Sequence, residues 1–312
     1  MTSIINTSMG AREWLMLIVL SVLWGGSFFF VAVAVAEIPT LTIVTLRVGL
    51  AAVTLWVIAL IMGLRPPKSI KIWLVFMAMG LLNNVIPFSL IVWGQTHIAS
   101  GLASVLNATT PLFGVVVAGL LLADERATPM KLVGVVAGFM GVLVMIGMPN
   151  MDVSSQGATL GQMAILIAAL SYAFAGVFGR RFKDMALSPV VIAAGQVTGS
   201  SLLLAPVALY IDGLPRFLGA DAPSLGIWAS ILTLAVFSTA LAYVLYFKIL
   251  ASAGATNIML VTLLVPVSAI LLGSIFLHEA LEWVHFVGMG LIALGLAVID
   301  GRLFTSVRNR KG

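Results

Sequence analysis

Long apolar runs separated by short polar breaks fill almost the entire chain. A helix needs about 20 residues to cross the hydrocarbon core. On that scale the pattern predicts ten spans, at 13–36, 40–62, 72–96, 99–122, 128–148, 159–180, 188–210, 225–251, 255–277 and 281–299. The breaks carry turn chemistry: "RPPKS", "PNMDVSSQG" and "DGLPRFLGADAPS". The predicted fold is an all-α integral membrane protein. No connection exceeds about 15 residues on this division, which leaves no room for a soluble receptor or scaffold domain.

Composition fits this pattern. The 312 residues are 61% hydrophobic and 9% charged, with a mean hydropathy of +1.18. A soluble domain could not bury so much apolar surface. The net charge of +5 is therefore not a nucleic-acid footprint, and its distribution matters more than its size. With both termini on one side, 14 of the 16 Lys and Arg residues fall in segments on that side. Arg216 falls on the other side, and Arg47 lies within a span. Cytoplasmic loops collect basic residues, so both termini, including the basic tail 301–312, are expected in the cytoplasm. The short polar N-terminus and the lack of a small-residue cleavage site read the first run as a retained helix.

The two halves resemble each other. In each, a Glu (Glu125, Glu279) precedes a Gly by nine residues (Gly134, Gly288), and another Gly follows seven later (Gly141, Gly295). Each Glu closes a span that contains a proline, Pro111 or Pro266, and Trp24 of "VLWGGSFFF" falls opposite Tyr172 of "LSYAFAGVF". The expected organisation is one repeat at 1–148, an external linker at 149–158 and a second repeat at 159–300. Each repeat holds five spans, and an odd number inverts the second copy in the membrane. Inverted repeats are an architecture of secondary transporters, with the site near the midplane.

Polar groups inside the membrane are functional candidates by default. Arg47, in "VTLRVGL", leads: a central Arg costs about 2.5–3.5 kcal/mol on insertion scales. Thr40, Val44, Arg47, Ala51 and Thr54 form one helical stripe expected to face protein or water, with Trp56 and Leu60 opposite, toward lipid. Two readings of Arg47 stand. It holds a substrate carboxylate, or it ties helix ends through backbone carbonyls. Asn83–Pro87, Asn107–Pro111 and Thr262–Pro266 repeat a polar-then-proline spacing of four. Each proline frees the carbonyl four residues earlier, which suits a hinge or cavity wall, or else a locally satisfied kink. The pairs in the fourth and ninth spans are pseudo-equivalent. Asn84 follows Asn83. The rings of Trp24, Phe88, Tyr172, Tyr243 and Tyr246 suit a pocket for amphipathic solutes, or helix packing. Thr239, Tyr243 and Tyr246 share one face. Gln196 lies near the pseudo-equivalent of Arg47. Trp14, Trp73 and Trp93 read as interfacial or packing residues. "GVVAG", Gly134–Gly138, reads as a close helix crossing.

The sequence resembles the EamA-type transporters of the drug/metabolite transporter superfamily. The resemblance covers nearly the whole chain. It rests on "LWGGSFFF", on "TLRVG", on the repeated Pro–Glu–Gly order and on "TALAYVLYF" before "ASAGAT". It implies ten helices, a central cavity and export of small metabolites such as amino acids across a bacterial cytoplasmic membrane. Import, exchange or drug efflux is the alternative. Polyspecific small relatives use a carboxylate midway along the first helix. This chain has none between Glu13 and Glu37, so the resemblance does not extend to carboxylate-based coupling there.

Other chemistry is not expected. There is no cysteine. The spans hold no mid-membrane carboxylate pair, and the three His residues sit at outer edges, so hydrolytic machinery is missing. His278, Glu282 and His285 of "HEALEWVH" read as an outer loop rather than a metal face. The expected partners are a small-molecule substrate and the lipid bilayer, with no cofactor, metal or nucleic acid. A monomer and a homodimer both fit.

Overall fold

A computed structural model describes residues 10–123, 128–146, 153–213, 222–258 and 260–300. All regular structure among the described residues is helical: α1 (Ala11–Ala34), α2 (Thr40–Ile61), α3 (Ile70–Gly94), α4 (Ser100–Leu121), α5 (Pro129–Ile146), α6 (Val153–Gly179), α7 (Pro189–Ile211), α8 (Leu225–Gly254), α9 (Val261–Phe276) and α10 (Trp283–Asp300). Seven, namely α1–α4 and α6–α8, are long and apolar enough to cross a membrane, and α5, α9 and α10 are shorter apolar helices. In lipid a helix satisfies its backbone internally, which is why these sequences take this form. Exposed apolar side chains such as Val53, Leu60, Leu120, Val136 and Leu143 provide the lipid-facing surface. The chain is a multi-pass membrane protein.

Several boundaries differ from the sequence expectation. α6 begins at Val153 rather than 159, because a helix continues past the apolar slab where its residues permit. α9 begins at Val261 rather than 255: Gly254 takes φ 80° and stops α8, and one further helical turn runs to Ile258. A left-handed φ suits glycine, which has no Cβ to clash. α4 is interrupted between Asn107 and Thr110. Trp56 does not face lipid. Its indole Nε1 donates to Thr198 Oγ1 at 2.9 Å on α7, since a buried-edge indole seeks an acceptor. Glu125, Arg216, residues 149–152 of the linker and the 301–312 tail lie outside the described residues.

α2 packs along α7, α1 along α9, α4 along α6, and α5 along α10. The α5–α10 contact is made through glycines. A Cβ on Gly134 would meet the Gly295 carbonyl oxygen at 2.6 Å, and one on Gly141 would meet the Gly288 oxygen at 2.6 Å. Gly138 abuts Leu112 of α4. Gly25 of "LWGGSFFF" has the same use: a side chain there would strike Ser268 and the α9 backbone. Apolar cores lie on either side of the centre. One holds Leu17, Leu20, Ile165 and Ile249, and the other Ile43, Val48, Leu55 and Ile231.

At one face of the bundle three carboxylates bond to helix N-termini far away in sequence. Glu37, after α1, accepts the N–H and Oγ–H of Ser224, which caps α8, at 2.7 and 2.9 Å. Asp212, which ends α7, accepts the N–H and Oγ1–H of Thr42 in α2 at 2.7 and 2.9 Å. Glu279, after α9, accepts the N–H and Oγ–H of Ser100, each at 2.8 Å, and the N–H of Gly101 at 3.1 Å. The first N–H groups of a helix lack intrahelical acceptors and favour negative charge.

Candidate substrate site

Two wide turns supply the polar groups at the centre. α3 contains a π-helical segment at Leu81–Val85, and α8 contains one at Val236–Leu241. In α3 the cause is local: Pro87 cannot donate to the Asn83 carbonyl, and the helix widens ahead of it. Asn83 and Asn84 sit on that wide turn. In α8 the Thr239 hydroxyl donates to the Leu234 carbonyl, five residues back, at 2.7 Å.

Arg47 reaches this centre from α2 and is only 5% exposed. Its Nε donates to Thr239 Oγ1 at 2.9 Å, on an oxygen whose own proton is committed to Leu234. The guanidinium lies over the Phe88 ring, 3.8 Å from the centroid, a cation–π arrangement. Tyr172 and Tyr243 are within electrostatic reach of it. A guanidinium carries five N–H donors. Among the described residues Nε alone has a hydrogen-bond acceptor, and no carboxylate pairs with the group.

An amide–phenol network adjoins the guanidinium. Asn83 Nδ2 donates to Tyr243 Oη at 3.1 Å and to Gln196 Oε1 at 3.4 Å, and Asn84 Nδ2 donates to Tyr243 Oη at 3.0 Å. Ser200 Oγ contacts Asn84 Oδ1 at 3.3 Å and the Gln196 carbonyl at 2.8 Å. Gly80 lets α3 approach α7 here, since a Cβ would meet the Gln196 carbonyl oxygen at 2.5 Å. Trp24 and Tyr246 form an aromatic pair beside this network, with ring centroids 5.6 Å apart. Ser171, next to Tyr172, donates to the Leu82 carbonyl at 2.7 Å.

The structure thus joins Asn83, Asn84, Gln196 and Tyr243 in one hydrogen-bonded network and sets Arg47 against Phe88 and Thr239, with Trp24 paired to Tyr246. Asn107 makes no hydrogen bond to this group, and its side-chain oxygen is buried without a partner. Its backbone carbonyl, freed by Pro111, accepts the Thr110 hydroxyl at 2.7 Å, so that kink is satisfied locally. Pro111 stands near the start of a new helical segment, where its missing N–H costs little, whereas Pro266 lies inside α9. Ser200 is not among the residues the sequence singles out, and Thr239 enters there only as sharing a face with Tyr243 and Tyr246. Their spacing from Tyr243 and Gln196, four residues, was the available signal. Among the described residues no cluster of three His or acidic groups could hold a metal, and His285 Nδ1 accepts the Glu282 N–H at 3.0 Å.

A buried polar centre built from facing helices of a multi-pass membrane protein, with an uncompensated cation and aromatic walls, belongs to the class of membrane transporters. The profile of the EamA-like transporter family matches residues 12–147 and 159–300. The chain belongs to that family. It is 27% identical to an uncharacterized transporter of Archaeoglobus fulgidus, over 92% of this chain and 98% of that one. It is 26% identical to the uncharacterized transporter YoaV of Bacillus subtilis, over 90% and 94%. It is 27% identical to the uncharacterized inner membrane transporter YedA of Escherichia coli, over 91% and 89%. A solved crystal structure superposes with a TM-score of 0.64 at 18% identity, covering 92% of this chain and 97% of that one, which shows a shared fold.

Proposed function

We propose that the chain is a secondary transporter that moves small amphipathic, carboxylate-bearing solutes of amino-acid size by alternating access. Its direction is export across a bacterial inner membrane, and both termini are cytoplasmic. Its ten helices form two inverted five-helix repeats, 1–148 and 159–300, with the site between them. The crosswise glycine contacts support this symmetry: Gly134 meets Gly295 and Gly141 meets Gly288, the pairing expected when repeat-equivalent positions are exchanged by a two-fold axis.

The observation that carries the substrate class is Arg47. It is buried, anchored at Nε and flanked by Phe88, with its terminal nitrogens left for a ligand. A planar fork of that kind matches a carboxylate. The Asn83, Gln196 and Tyr243 groups offer donors and acceptors for a second polar end, and Trp24, Tyr172 and Tyr246 offer apolar walls. Pro87, Pro111 and Pro266 are the proposed hinges.

The Arg47 contact to Thr239 also fits a structural tie. Transport of one carboxylate-bearing and one cationic solute, with melting temperature, is measured for Arg47→Lys and Arg47→Gln. A ligand role gives partial activity in Arg47→Lys and a selective loss of the carboxylate-bearing solute in Arg47→Gln, at little cost in stability. A destabilised Arg47→Gln with unaltered solute ranking rules out the ligand role.

A further inference from the structure

The three carboxylate contacts have properties in common that packing does not require. Each joins a residue of 1–148 to a residue of 159–300, at separations of 187, 170 and 179 positions. Each carboxylate bonds both the N–H and the hydroxyl of one Ser or Thr at or near a helix start. In each case the helix's own N-cap side chain makes no capping bond, so the acid from the other half supplies it. Glu37 and Ser224 are exposed, and Asp212 and Glu279 are half-buried. Water can therefore replace every one of these bonds when the halves part.

All three also lie at the same face. Chain direction alternates from helix to helix, so the starts of α2, α4 and α8 and the ends of α1, α7 and α9 fall on one side. The backbone around Glu279 is shaped for the contact. His278, just before it, takes φ 55°, a conformation costly for a non-glycine residue. A Cβ on Gly273 would strike the Glu279 carboxylate and come within 2.9 Å of Ser100 Oγ. At the opposite face a cleft of about 500 Å³ lies between α3, α4 and α6, lined by Leu82, Leu121, Phe174, Phe178, Arg180 and Arg181.

We infer that Glu37, Asp212 and Glu279 are a three-point latch that closes the transporter at this face, and that the face opens only when these carboxylates leave the α8, α2 and α4 N-termini of the other half. The inference rests on the alternating-access reading and identifies which contacts must break. The structure then corresponds to the state closed at the latched face.

The absence of cysteine from the chain makes a direct test available. Asn83→Cys places a single reporter in the central site of the full-length protein. Its labelling by a membrane-impermeant maleimide is measured separately from each side, in right-side-out and inside-out vesicles. With the latch intact, labelling comes from the Arg180–Arg181 face. In Glu37→Ala/Asp212→Ala/Glu279→Ala, labelling from the latched face rises by about tenfold, as expected for a shifted two-state population. A reversible version carries Thr42→Cys/Asp212→Cys in the Glu37→Ala/Glu279→Ala background without the Asn83→Cys reporter and is read by solute transport. Oxidation there holds the face shut and stops transport, and reduction restores it, so misfolding cannot mimic the result. Unchanged labelling from the latched face, in a protein still labelled from the other, overturns the latch alone. No labelling from either face in any variant overturns alternating access and the latch together.

Discussion

Arg47 illustrates how a single side chain is held ready inside a membrane. The guanidinium is costly in hydrocarbon, and the structure offsets that cost with one hydroxyl and one aromatic face. Thr239 is the fixed point of this arrangement, because its proton goes to Leu234 and its oxygen to Arg47. Thr239→Val keeps the shape and removes both bonds. Leaving buried partners unsatisfied costs about 1–3 kcal/mol each, so melting temperature in detergent should fall by several degrees and transport should fall with it. Thr239→Ser should restore both. A Thr239→Val protein with wild-type melting and transport would show the contact to be incidental. Arg47 was legible in the sequence because a cation stands out in an apolar run. Its partner was not, because no local pattern links positions 192 residues apart.

At the scale of elements, periodicity marked the helices well, but their internal irregularities less so. Pro87 announced a defect in α3. In α8, nothing in "AVFSTAL" announced the second π segment, and no proline lies within it. One extra residue in a turn rotates all that follows by about 100°, which re-aims Tyr243 and Tyr246 relative to the first half of the helix. Cross-helix pairings such as Asn83 to Tyr243 depend on such rotations and could not be read from spacing. Two of the three proline sites also diverge in a way the sequence concealed. The Pro111 break is already closed by Thr110, whereas Pro266 interrupts a continuous α9. Pro266→Ala should therefore slow transport with membrane insertion intact, and Pro111→Ala should do so less. Initial rates in vesicles, normalised to inserted protein, check this order. Equal, wild-type rates in both would make the prolines passive features.

For the molecule as a whole, the basic residues predict orientation, and reporter fusions test it. Fusions after Gly63, Lys183 and Arg302 should read cytoplasmic, and fusions after Asp152 and Asp221 external. A cytoplasmic signal at Asp152 would refute both the ten-span count and the inversion of the second repeat. The crosswise glycine pairing of α5 and α10 has a mechanical consequence at this scale. Where large side chains interlock, one helix must climb over another to turn. Where backbone rests on backbone, the surfaces are smooth, and the axis between Gly134–Gly295 and Gly141–Gly288 can serve as a bearing. Two rigid bodies turning on that bearing would keep their separation there constant while the distances at either rim change in opposite senses.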